Sequence, residues 1–136
     1  MQEETQIDFQ SLIDYCHAMA EKFLVESQEF YPFGAYIKTN GELVLAGFHD
    51  GDEFPLSQTV IDNLKCEFDK SLFSTNIIRA YSITYDTKVT NSNFPNSIDS
   101  IAMKLVSRDN NLVYYFPYKI TDNQITFYES WVEILE

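Results

Sequence analysis

His49, Asp50, Asp52 and Glu53 place an imidazole and three carboxylates within the run HDGDE. Such donors could hold a cation or form an acid–base pair. Calcium takes roughly six to eight oxygens, typically from a loop with acids at alternate positions and a distant Glu, and that spacing is absent. Zinc would draw another His or Cys from elsewhere, and His17 is the only other His. The run reads as a turn with a solvated charge cluster, its Gly and Asp serving turn chemistry, and no metal is expected.

The nucleophile candidates fare no better. Cys16 and His17 are neighbours, but adjacent helical residues diverge by about 100°, and Cys16 lies on an apolar stripe where a thiol is inert. Ser57 and His49 could approach, yet the chain has no G-x-S-x-G elbow, no phosphate-cradling Gly-rich loop and no H-E-x-x-H. Asp86 could pair with Asp50 or Asp52 at strand ends. With 21 acids in 136 residues, some such pair arises by chance. No catalytic residue, no enzymatic activity and no cofactor are expected.

Net charge is −12, and the nine Lys and Arg are scattered singly. Nucleic-acid binders carry a basic stripe that releases counterions, so neither DNA or RNA nor an anionic membrane is an expected partner. An acidic surface favours encounter with a basic protein. The N-terminal MQEETQIDF lacks the basic and apolar regions of a signal peptide, and no apolar run approaches the length of a membrane span. Cys16 and Cys66 read as ordinary buried thiols in helices, and a cytoplasmic chain is expected.

The elements that must position these residues follow from periodicity. Leu12, Cys16, Met19, Ala20, Phe23 and Leu24 form one helical stripe within residues 7–28, with Thr5 and Asp8 as a start signal of the capping-box type. Pro32 biases Tyr31 out of the helix. Asn40-Gly41 predicts a hairpin between 33–38 and 43–48, because both residues tolerate positive φ. Ser57 caps a second helix to about Ser74, buried through Val60, Ile61, Leu64, Phe68 and Leu72. Ile77 to Asp86 alternates large and small side chains as a strand. A polar loop at 87–97, a hairpin through 98–118 and a strand at 124–128 complete the chain. Residues 129–136 fit either a strand or a short helix.

At 136 residues, rich in apolar and aromatic side chains, the chain reads as a single α+β domain. The expectation is a mainly antiparallel sheet of five to six strands with two helices on one face, in the order α-β-β-α-β-β-β. That element order resembles the profilin-like group, including roadblock-type domains, which implies dimerisation and adaptor roles. FYPFGA at Phe30 to Ala35, NGE at Asn40 to Glu42 and YD at Tyr85-Asp86 resemble a pattern in small uncharacterised bacterial proteins, which implies a bacterial source and transfers no functional residue.

Leu43–Ala46 and Leu112–Phe116 are continuous apolar runs, whereas a sheet with one wet face alternates. Something must cover the second face: the C-terminal segment with Trp131, the 87–97 loop, or another chain. Tyrosine suits interfaces because its ring buries while its hydroxyl finds a polar partner. The expected contact residues are therefore Tyr81, Tyr85, Tyr114 and Tyr115, with Asp50, Asp52 and Glu53 as an acidic rim. The expected partner is a protein, either a second copy or a basic protein bound in the manner of an antidote. The alternative is a small-molecule or sensory module with an aromatic pocket.

Overall fold

The computed structural model describes residues 1–46 and 57–135. Along the chain run α1 (Glu3–Ser27), β1 (Phe33–Lys38), β2 (Leu43–Ala46), α2 (Ser57–Asp69) with a π-helical turn at Lys70–Ser74, β3 (Ile78–Val89), β4 (Ile98–Ser107), β5 (Asn111–Thr121), β6 (Gln124–Phe127) and β7 (Trp131–Leu135). Every pairing is antiparallel, in the sheet order β2-β1-β3-β4-β5-β6, with β7 also on β5. The α+β class and antiparallel sheet are those expected. No helix among the described residues is long and apolar enough to cross a membrane.

The two helices lie on opposite faces of the sheet, not on one. β3 explains why. Its small side chains Ala80, Ser82 and Thr84 face α1, and the gap they leave lets Cys16 Sγ come within 3.3 Å of Ser82 Oγ. Leu12, Cys16, Ala20 and Leu24 of α1 complete that core against Ala35 and Ile37 of β1 and Ile101, Met103 and Leu105 of β4. The large side chains Tyr81 and Ile83 point the other way, against Val60, Leu64, Phe68 and Leu72 of the α2 segment. A strand buried on both faces has no wet side, so its apolar character need not alternate.

Helix α1 begins at Glu3, and the Thr5–Asp8 box does not form: Gln2 precedes the helix without a side-chain cap. Asp8 is buried and bound elsewhere. Its Oδ2 and Oδ1 accept from Arg79 Nε and Nη2 at 2.9 and 3.0 Å. The β1–β3 register shifts between Ile37 and Lys38, which leaves Arg79 as the extra residue of a bulge on β3. Bulges redirect side chains, and this one sends Arg79 towards α1. The bidentate pair locks the first turns of α1 to the start of β3.

The β1–β2 connection is a three-residue loop, Thr39 to Gly41, in which Gly41 alone has positive φ, at +94°. Asn40 uses its side chain instead, its Oδ1 accepting the Glu42 N–H at 2.9 Å. The loop expected at 87–97 is shorter, because β3 and β4 stay paired out to Val89 and Ile98. Residues 131–135 settle as a strand: β6 and β7 run along the same edge of β5, and their register slips by one residue between Phe127 and Trp131. Pro117 sits at that slip, its carbonyl accepting from Tyr128 N–H at 2.9 Å. A residue without an N–H is tolerated where the ladder is interrupted.

Gly34 is where α2 approaches the sheet most closely. A Cβ built there would lie 2.5 Å from the Phe68 ring and 3.2 Å from the Ser82 carbonyl oxygen. Gly34→Ala is expected to lower unfolding stability by about 1–3 kcal/mol in urea titrations, the usual cost of overpacking. Combining it with Phe68→Leu is expected to recover part of that loss, and an additive double variant would show that the ring is not what limits the site.

Candidate functional site

Helix α2 packs on β1 and β3, and among the described residues no helix packs on the β4–β5–β7 part of the same face. There the registers align Tyr85, Ala102, Tyr115 and Trp131 in one row across β3, β4, β5 and β7. Ala102 is buried, while Tyr85, Tyr115 and Trp131 are each part-exposed. The Trp131 and Tyr115 rings stack at 5.2 Å with 28° between planes. Ile83, Lys104, Val113 and Glu133 form the next row.

The electrostatics of the row suit donation rather than ionisation. Burial raises the Tyr85 phenol above its ordinary range, with Tyr115 and Glu133 adding to it. Burial and then Glu133 act in the same direction on Tyr115. Both hydroxyls stay neutral and available as hydrogen-bond donors. Around Trp131 the surface deepens into a groove of about 540 Å³ between Asn91–Phe94 and Tyr128–Trp131. Asn91 Oδ1 folds the loop by accepting the N–H groups of Asn93 and Phe94 at 2.8 and 2.9 Å, and Phe94 packs edge-on against Tyr128 at 5.2 Å.

Of the residues singled out in the sequence, Tyr85 and Tyr115 come together and two other tyrosines do not join them. Tyr81 is sealed under α2, packed at 5.0 Å from the Phe68 ring, with its hydroxyl donating to Asp69 Oδ1 at 2.7 Å. It is a core residue, because its place on β3 faces the helix that covers it. Tyr114 lies on the α1 face, stacked on Phe116 at 5.9 Å, since neighbouring residues of a strand point to opposite faces. Asp50, Asp52 and Glu53, with His49, lie outside the described residues. Trp131 completes the row, and only the pairing of β7 with β5 reveals it. Its sequence signal was a lone Trp next to an alternating V-E-I.

The catalytic candidates are dispersed. Cys16 is buried on the inner side of α1, and burial raises its thiol despite the hydrogen bond with Ser82. Cys66, expected to be buried, is exposed on α2 on the opposite side of the sheet, because it lies off the Val60–Leu64–Phe68 stripe that the helix buries. Asp86 accepts the Tyr118 hydroxyl at 2.7 Å on the α1 face, and burial raises its carboxyl. Among the described residues no three His, Cys, Asp or Glu gather where they could hold a metal. Comparisons with protein-family models, curated proteins and solved structures found no match.

His17 is wedged between the rings of Phe116 and Phe127 at 4.9 and 4.7 Å. Burial lowers its imidazole below the ordinary 6.5, outweighing Glu21 and Asp14. Below that value the unfolded chain takes up the proton first, so the contribution of His17 to stability is complete above about pH 6.5 and declines as pH falls through the folded value. Stability measured between about pH 7.5 and 5.5 is expected to slope less in His17→Gln than in the unaltered protein. Parallel slopes would mean that the ring pocket accepts the imidazolium without cost.

Proposed function

We propose that the chain is a small acidic interaction domain, bacterial and cytoplasmic, that binds a basic protein in the manner of an antidote. Its contact surface is the Tyr85–Ala102–Tyr115–Trp131 row. The observation that carries this reading is the part-exposed aromatic row, which starts at Tyr85 on the edge of the α2 core and runs out to the stacked Tyr115 and Trp131. Amphipathic rings with neutral hydroxyls are the side chains that dominate protein interfaces. Glu133 beside the row and Glu129 beside the groove are exposed, and a net charge of −12 steers a cationic partner towards them. In this reading Asp50, Asp52 and Glu53 add to the same field. The same charge opposes self-association, so the partner is a different protein rather than a second copy.

A second reading rests on the groove at Trp131. Its size and its lining by Phe94, Tyr128 and Trp131 suit a small aromatic ligand, which would make the chain a sensory or small-molecule-binding module.

The test uses the immobilised protein and a bacterial extract at low and high salt, with retained proteins identified by mass spectrometry. The expected result is retention of a basic protein that Tyr115→Ala and Trp131→Ala each weaken by about tenfold or more, as hot-spot truncation does. Glu133→Lys is expected to slow association and flatten its salt dependence. Retention of the same proteins by all variants, or indifference to salt, would remove this surface from the account.

A further inference from the structure

A second cleft, of about 500 Å³, lies on the same face between the α2 segment with its π-helical turn and the β4–β5 end of the sheet. Tyr81, Val106, Asn111 and Leu135 align in one row beneath it. None of Tyr85, Tyr115 or Trp131 lines it, so it is separate from the aromatic row.

Its charge sets it apart from the rest of the molecule. Lys65, Lys104 and Arg108 all line it, three of only nine cationic side chains in a chain of net charge −12. Singly scattered in sequence, they are gathered by the fold. Asp69 and Asp109 also line the cleft. Asp69 is already engaged, taking Lys65 Nζ at 2.5 Å and the Tyr81 hydroxyl at 2.7 Å. Lys104, by contrast, forms no ion pair among the described residues.

Lys104 is part-buried, and that burial holds its ammonium below the ordinary lysine range. The nearby Lys65 ammonium acts in the same direction, ahead of the opposing pull of Asp69. An ammonium withdrawn from water beside another ammonium is relieved by an anion. Arg108 donates one Nη2–H to the Leu72 carbonyl of the π-helical turn at 3.2 Å, which ties the guanidinium to the cleft wall while the rest of its donor fork remains for a ligand. π-Helical turns recur at functional sites, and this one contributes Phe73 to the cleft lining.

We propose that this cleft binds the oxyanion group, carboxylate or phosphate, of a small molecule, with Lys104 as the principal ligand and Arg108 and Lys65 beside it. The volume suits a small molecule. The proposal goes beyond the protein-binding reading and does not depend on it.

The test is a titration of the full chain with inorganic phosphate and, separately, with citrate, at constant ionic strength set by chloride, following the side-chain resonances of Lys104 by NMR. The expected result is a saturable shift and a rise in the apparent pKa of Lys104 with at least one probe. A response to phosphate alone assigns a phosphate compound, and a response to citrate alone assigns a carboxylate. Lys104→Met, followed through the resonances of Lys65 and Arg108, is expected to weaken that affinity by about tenfold or more, the loss of one charge-assisted hydrogen bond. Arg108→Gln, at an exposed position, keeps the test open if the first variant does not fold, and is also expected to weaken binding. Tyr115→Ala is expected to leave it unchanged, which separates this site from the aromatic row. A flat response to both probes, a response that chloride alone reproduces, or unaltered affinity in the folded Lys104 and Arg108 variants would overturn the proposal.

Discussion

The alternation along β3 is the constraint on which the rest of the molecule depends. Ala80, Ser82 and Thr84 on one face and Tyr81, Ile83 and Tyr85 on the other make the central strand asymmetric in volume. A helix packs closely only where the sheet side chains are small, and α1 takes that face, with Cys16 against Ser82. The bulky face accepts α2 through a different device, the missing side chain of Gly34, which makes room for the Phe68 ring. Each face therefore receives one helix, and the sheet is buried from both sides at its centre.

Two polar clamps register the layers. The Arg79 bulge meets Asp8 of α1, and Tyr81 reaches Asp69 at the end of α2. Each joins elements more than ten residues apart in the chain, so each discriminates against slipped packings in a way that apolar contacts do not. Losing either clamp would strand a buried polar group, which costs more than the bond itself contributes in the intact fold. The helices are thus held in position as well as in contact.

The proposed contact surface is what this arrangement leaves over. A single 13-residue helix cannot span a sheet six strand positions wide, so among the described residues the face opposite α1 divides into a part that α2 covers and a part that no helix covers. The second part carries the aromatic row, and the border between the two parts is the cleft where Lys65, Lys104 and Arg108 meet. Aromatic row and cationic cleft are therefore neighbours with opposite chemistry: one offers rings and neutral hydroxyls under an acidic field, the other positive charge partly withdrawn from water. Their adjacency follows from the length of α2.

Local pattern alone determined the existence and type of the elements. The stripe of α1, the Asn40-Gly41 turn, the buried side of α2 and the alternation of β3 are each set by side chains within a few residues of one another, and short-range sterics and periodicity express them directly. Tertiary structure decided the faces. The β3 alternation contained two differently sized surfaces, but which helix lay on which depended on Gly34, Phe68 and the Arg79–Asp8 pair, residues far apart in sequence. The site followed the same rule. Tyr85 and Tyr115 were legible as interface-type side chains, while Tyr81 was lost to the core and Tyr114 to the other face, because strand parity and helix coverage are properties of the assembled sheet. Trp131 joined the row only through the one-residue register slip between β6 and β7, and Lys65 of α2 joined Lys104 and Arg108 at the end of β4 only when the two segments met, which no spacing along the chain encodes.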